Sequence, residues 1–112
     1  MSASSLPVFV LNKQIFTGQS MTSTVSSEII DLAETLGYAV HSIWTGTPVG
    51  AISTQGSNDG VNFVEIDSAN TSGAAGQHLL NVEKHHYRYV KIEYIATSST
   101  GSLTTYISGK RG

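Results

Sequence analysis

The chain has 112 residues, enough for one domain with a single modest core. Hydrophobic residues make up 39% of it and mean hydropathy is near zero, which excludes a disordered chain. The formal charge is −2 and the six Lys and Arg are spread out, which excludes an electrostatic footprint for nucleic acid.

Charged residues are scarce at 12%, while Ser and Thr number 28. That balance suits an all-β chain with many turns. It also gives little colloidal repulsion, as expected where partners cover much of the surface. No cysteine is present, so there is no disulfide framework and no thiolate metal site. This fits assembly in a reducing cytoplasm. No apolar run approaches the ~18 residues that span a bilayer. Met1-Ser2-Ala3-Ser4-Ser5 lacks the basic and apolar regions of a signal peptide and reads as a polar leader.

The first predicted strand runs from Leu6 to Leu11, apolar on both faces, with Pro7 placing its start near an edge. Lys13 to Ser20 reads as a connection ending at a Gly turn, although Ile15 and Phe16 could pair. Residues 26–37 are ambiguous. Ile29, Leu32, Ala33 and Leu36 have helical spacing, with Ser27 as cap and Gly37 as stop. The preceding Thr/Ser/Val run favours β, so we read strand to about Leu32 and then a turn, with a short helix as the alternative.

Tyr38 to Trp44 alternates as a strand, and Trp44 is expected in the core. Val49 to Ser57 and Val61 to Ile66 flank Asn58-Asp59-Gly60, a strong hairpin signal because these residues accept positive φ. Asp67 to Gln77 reads as a long loop, the expected mobile or partner-contacting segment. His78 to Val82 is a brief strand. Tyr87 to Ala96 is the strongest strand in the chain. Thr97 to Gly101 turns, and Ser102 to Ser108 returns as the last strand. About seven or eight short strands predict an all-β antiparallel sandwich of jelly-roll type, one domain over residues 1–112.

Residues for chemistry do not converge in the sequence. There is no Gly-x-Ser-x-Gly elbow, and three Asp and five Glu are scattered. His85 and His86 are adjacent, so on a strand they point to opposite faces and cannot share one ion. Asn58-Asp59-Gly60 lacks the alternating acids of a calcium loop and is better read as a hairpin turn. Gly46, Gly50 and Gly56 lack phosphate-loop spacing. Lys110-Arg111 reads as a solvated tail. We expect no enzyme activity, no metal and no cofactor. Strand parity puts Val90, Ile92, Leu103 and Ile107 in the core. Tyr87, Tyr89 and Tyr106 then face outward, as candidate protein-interface residues or a sugar platform, with packing under a loop as the simpler alternative.

Several stretches resemble a family of small structural proteins of tailed bacteriophages. They are Trp44-Thr45-Gly46-Thr47-Pro48-Val49-Gly50, Gln55-Gly56-Ser57-Asn58-Asp59-Gly60-Val61-Asn62-Phe63, Tyr87-Arg88-Tyr89-Val90-Lys91-Ile92, and the ending from Gly101 to Lys110. The Ser-Asn-Asp-Gly-x-Asn-aromatic and Tyr-Val-Lys-Ile pieces also resemble the discoidin β-sandwich, a fold shared with carbohydrate-binding modules. The resemblance spans roughly residues 30–110. It implies a jelly-roll sandwich in a virion, assembled in the host bacterial cytoplasm, as a capsid decoration or other head or tail component. It implies other virion proteins as partners. The low charge and the outward tyrosines point to a homo-oligomer, and the resemblance suggests a trimer through local three-fold positions on capsids. A carbohydrate-binding module for host adhesion is the alternative, with a glycan as partner. Nucleic acid and membrane are not expected partners.

Overall fold

The computed structural model describes residues 8–98 and 100–111. The polar leader, the strand start at Leu6-Pro7 and Ser99 of the Thr97-to-Gly101 turn lie outside them. Nine strands form: β1 (Val8–Ser20), β2 (Val25–Ser26), β3 (Ile30–Asp31), β4 (Gly37–Thr45), β5 (Val49–Ser57), β6 (Val64–Asn70), β7 (Gly76–Val82), β8 (Tyr89–Ser98) and β9 (Ser102–Arg111).

They make two antiparallel sheets. Sheet I has the order β1-β9-β4-β7, and sheet II the order β2-β8-β5-β6, with β3 also on β8. If β2 and β3 are counted as one interrupted strand, there are eight positions. First then pairs with last, second with second-last, third with sixth and fourth with fifth. That is a long hairpin wrapped into two layers, the jelly roll. The sandwich class and strand number expected from the sequence therefore stand.

The core lies between the layers, and period-2 alternation builds it. Sheet I contributes Tyr38, Val40 and Trp44 from β4 and Leu103 and Ile107 from β9. Sheet II contributes Ile52 from β5 and Val90, Ile92 and Tyr94 from β8. Met21 and Leu32 enter from connections. Trp44 is core as expected, and its Nε1–H donates to the Ala74 carbonyl at 2.8 Å.

One buried polar pair bridges the middle of sheet I. The hydroxyls of Ser42 and Thr105, register partners on β4 and β9, lie 3.1 Å apart and almost fully buried. Thr105→Val keeps the shape but strips the Ser42 hydroxyl of its partner. It should cost about 1–3 kcal/mol, because a buried unmade hydrogen bond forfeits its hydration. Adding Ser42→Ala should recover most of that loss in a denaturation cycle. A double variant as unstable as the single would show that the hydroxyl pair is not what matters.

Three segments differ from the sequence-based expectation, and residues 26–37 follow the strand-then-turn reading over the short helix. Lys13 to Ser20 is not a connection: β1 continues through it along β9, with register shifts that break the alternation. Residues 26–37 hold no helix. They form β2, β3 and a turn, and Ser27 caps a strand gap instead of a helix. Its N–H donates to the Ile92 carbonyl at 2.7 Å, while its Oγ accepts the Ile92 N–H at 2.8 Å. The hairpin at Asn58-Asp59-Gly60 exists, but its connection is residues 58–63 and its second strand starts at Val64. Asp67 to Gln77 is mostly strand, and only residues 71–75 connect β6 to β7. That short connection is pinned, since the Thr71 hydroxyl donates to the Pro48 carbonyl at 2.8 Å.

Candidate interaction surface

The three candidate tyrosines do not share a face. β8 belongs to sheet II and β9 to sheet I, so Tyr89 and Tyr106 sit on opposite outer faces. Strand parity says which side of its own strand a residue takes. It does not say which layer the strand joins.

Tyr87 precedes β8 and does not face outward as expected. Its hydroxyl lies 2.6 Å from that of Tyr38, and its ring packs edge-on to Tyr38 and against His85. Burial pushes both phenols above their ordinary range, Tyr38 further. Tyr89 is half-buried on the outer side of β8. The Arg88 guanidinium lies 5.2 Å from its ring centroid and forks onto Asp31 at 3.1 and 3.2 Å. The Arg88 hydrogen bonds hold the Asp31 carboxyl below its usual range. Tyr106 is 42% exposed and points out from β9.

The two outer faces differ in chemistry. Sheet II carries a polar network across its strands. Ser53 Oγ donates to Glu65, Gln55 Nε2 to Glu93, and Ser26 Oγ to Glu93, at 2.7, 3.0 and 3.0 Å. Lys91 caps the Phe63 ring at 4.6 Å.

The four strands of sheet I carry no Asp or Glu. Their only Lys or Arg are Lys13, Lys110 and Arg111. Lys13 is paired with Glu28 at 2.7 Å. Register places Gln14, Tyr106, His41 and Leu79 in one row across the sheet. Leu79 is 63% exposed, and Ile43, two residues along β4 from His41, is 37% exposed. The His41 ring is fixed by Gln77, Nε2 to Oε1 at 2.8 Å. Tyr106 was legible in the sequence as a surface residue. Leu79 and Ile43 were not, because only the register of three strands makes them its neighbours.

A cleft of about 350 Å³ closes one end of this face. Gly37, Ala39 and Ser108 line it together with Phe9 and Leu36, and Lys110 and Glu83 also contribute. Lys110 and Arg111, read from the sequence as a tail, belong to β9. The Lys110 ammonium sits 4.9 Å from the Phe9 ring centroid.

Polar groups that could suggest chemistry are engaged locally. His85 Nδ1–H donates to the Tyr87 carbonyl at 2.8 Å, and Nε2 meets the Thr35 hydroxyl at 2.6 Å. Asp59 accepts from the Asn62 and Val61 N–H groups, both at 2.8 Å, which holds its carboxyl far below the ordinary range. Its oxygens serve a turn. Among the described residues no three His, Asp or Glu side chains converge, and no helix is long and apolar enough to cross a membrane.

No family model matches the chain, and no curated protein matches it in sequence. Solved structures do share its fold. The SPBc2 prophage-derived protein YomS superposes with a TM-score of 0.60 at 8% identity, covering 94% of this chain and 96% of that one. A chain from the structure of infectious bursal disease virus, Gx strain, gives 0.56 at 12% identity, over 94% of this chain and 32% of that one. A chain described with Bacillus endospore appendages, a family of disulfide-linked pili, gives 0.51 at 15% identity, over 100% and 96%. At these identities the likeness is one of fold.

Proposed function

We propose that this chain is a structural subunit of a tailed-phage virion, a capsid decoration or other accessory head or tail component. It works through protein–protein contacts and not through catalysis. The observation that carries this reading is the contrast between the two outer faces. One is cross-linked by its own polar network. The other is nearly free of charge and exposes Tyr106, Leu79 and Ile43. Depletion of charge around exposed aromatic and aliphatic side chains is the compositional mark of an interface centre. The fold-level neighbours come from a prophage, a virus and a surface appendage, which supports the same reading.

Sugar binding for adhesion is the second reading, and the cleft beside Phe9 is the feature that favours it. A sugar platform needs an open aromatic face, and the Phe9 ring already carries the Lys110 ammonium.

The deciding experiment is quantitative mass spectrometry of virions purified from the host that carries this sequence. The chain is expected as an integral component at a copy number fixed by particle symmetry. Expression in the infected cell without incorporation into particles would overturn the reading.

A further inference from the structure

We infer that the outer face of sheet I pairs with the same face of a second copy of this chain, about a two-fold axis running along β4. The inference rests on the assembly reading above and names the partner of that surface.

The register supplies the first reason. Tyr106 on β9 and Leu79 on β7 flank His41 on the strand between them. A two-fold axis along β4 lays β9 of one copy over β7 of the other. Tyr106 then meets the partner's Leu79, and Leu79 meets the partner's Tyr106. An isologous interface requires this reciprocity.

Charge supplies the second reason. Lys110 on β9 pairs with Gly37 on β4, and Gly37 abuts Glu83 on its far side. Lys110 and Glu83 therefore flank the cleft from opposite sides, one strand either way from β4. The same axis places Lys110 opposite the partner's Glu83, twice. Between these pairs the face carries no carboxylate and no further cation on β4 or β7, so it meets itself without like-charge contact. Sheet II, with Glu65, Lys91 and Glu93 on its strands, offers no such match.

Size bounds the affinity. With the axis along β4, strands β9, β4 and β7 of each copy overlap and β1 overhangs. Three strands at ~4.8 Å and nine residues of β4 at ~3.3 Å give a shared face of about 14 by 30 Å. Covering it on both copies removes on the order of 900 Å² of surface, the size of a weak, reversible interface. Face-to-face sheets pack about 10 Å apart with strands inclined by about 30°, which the two-fold axis permits when it is tilted by about half that angle from β4. Alternation of Tyr106, Leu79 and Ile43 with Ala39, Ser108 and Thr104 gives the relief that interdigitation needs.

The test is sedimentation equilibrium of the full chain and four variants, with circular dichroism melting as the folding control. Lys110, Glu83 and Leu79 are all exposed, so their substitution should leave the melt of the dilute, dissociated chain nearly unchanged. The unaltered chain is expected as a dimer at micromolar concentration. Lys110→Glu and Glu83→Lys should each weaken it about tenfold, and Leu79→Asp should do so by at least as much. The double swap, Lys110→Glu with Glu83→Lys, should restore dimerisation, because opposite charges again face each other across the axis. A monomer at 100-fold higher concentration, a trimer, or a dimer indifferent to all four variants would overturn the pairing. A double swap weaker than either single would overturn the register. If the chain pairs as described but is absent from virions, only the assembly reading fails. If it is a virion component but monomeric, only the pairing fails.

Discussion

Truncating Ile92 to Ala should destabilise the domain by about 2–5 kcal/mol, the range for a buried aliphatic cut back to a methyl group. Ile92 is fully buried at the centre of β8, inside the cluster that includes Val90, Tyr94, Leu103 and Ile107. Its backbone is held on both sides. Thr54 of β5 pairs with it on one edge, and Ser27 supplies the hydrogen bonds on the other. The surroundings therefore have little freedom to collapse into the space left behind, which favours the upper half of the range. A domain of this size has about 5–15 kcal/mol in total, so one substitution removes a large share. Urea denaturation should show a lower midpoint at unchanged slope. Ile95→Ala, on the same strand but exposed on the outer face, should stay within about 0.5 kcal/mol. Equal losses at 92 and 95 would mean that the in–out parity of β8 is reversed.

That parity was legible because β8, β4 and β9 each bury one face and wet the other. Val90, Ile92 and Tyr94, or Leu103 and Ile107, write the period of two directly into the sequence. Where the period fails, the physical cause can be named. In β1, register shifts between Phe9 and Leu11 and on either side of Phe16 add residues that no partner matches. Alternation then slips, and Lys13 to Ser20 reads as a connection. In β6, an edge strand, Asp67 to Asn70 are polar or small although they are paired to β5. Edge strands tolerate this, and inward polar groups there discourage further strand addition. Asp67 meets His78 of β7 at 2.8 Å, closing that side of the sandwich with a polar pair instead of apolar contact.

The candidate surface was legible only in part, for a topological reason. Chain-neighbouring strands β8 and β9 lie in different layers, because a jelly roll alternates its hairpin between two sheets. Tyr89 and Tyr106 look like companions in sequence and are separated by the core. The residues that accompany Tyr106 come from β4 and β7, far from it along the chain. No parity within a single strand assembles Gln14, Tyr106, His41 and Leu79 into one row. The low charge of the chain was the one global signal, and it is concentrated on sheet I.

Gly101→Ala should be among the most damaging changes to the fold, at about 3 kcal/mol or more, for two separate reasons. Its φ is +131°, a region that side-chain-bearing residues avoid at a cost of about 1–3 kcal/mol. A Cβ at this position would also overlap the Thr45 carbonyl oxygen and touch Pro48. Neither neighbour can move freely. Thr45 ends β4 and Pro48 leads into β5, so relief of the overlap would displace the whole β4–β5 turn. Gly101 also presents its carbonyl to the N–H of Met21, a fully buried residue, at 3.0 Å. Displacing Gly101 itself would therefore loosen the end of β1. Gly46, in the facing turn, approaches the same point, and a Cβ there would lie 2.7 Å from the Gly101 Cα. The comparison variant is Gly18→Ala. Gly18 has a positive φ of 55°, but an added Cβ would meet nothing within 4 Å. It should lose only the conformational part, about 1–2 kcal/mol. Thermal denaturation of the two variants separates the effects: the gap between them measures the close packing of the two turns. If Gly101→Ala lost no more than Gly18→Ala, the back-to-back contact of Gly46 and Gly101 would not be what fixes the start of β9 against the end of β4.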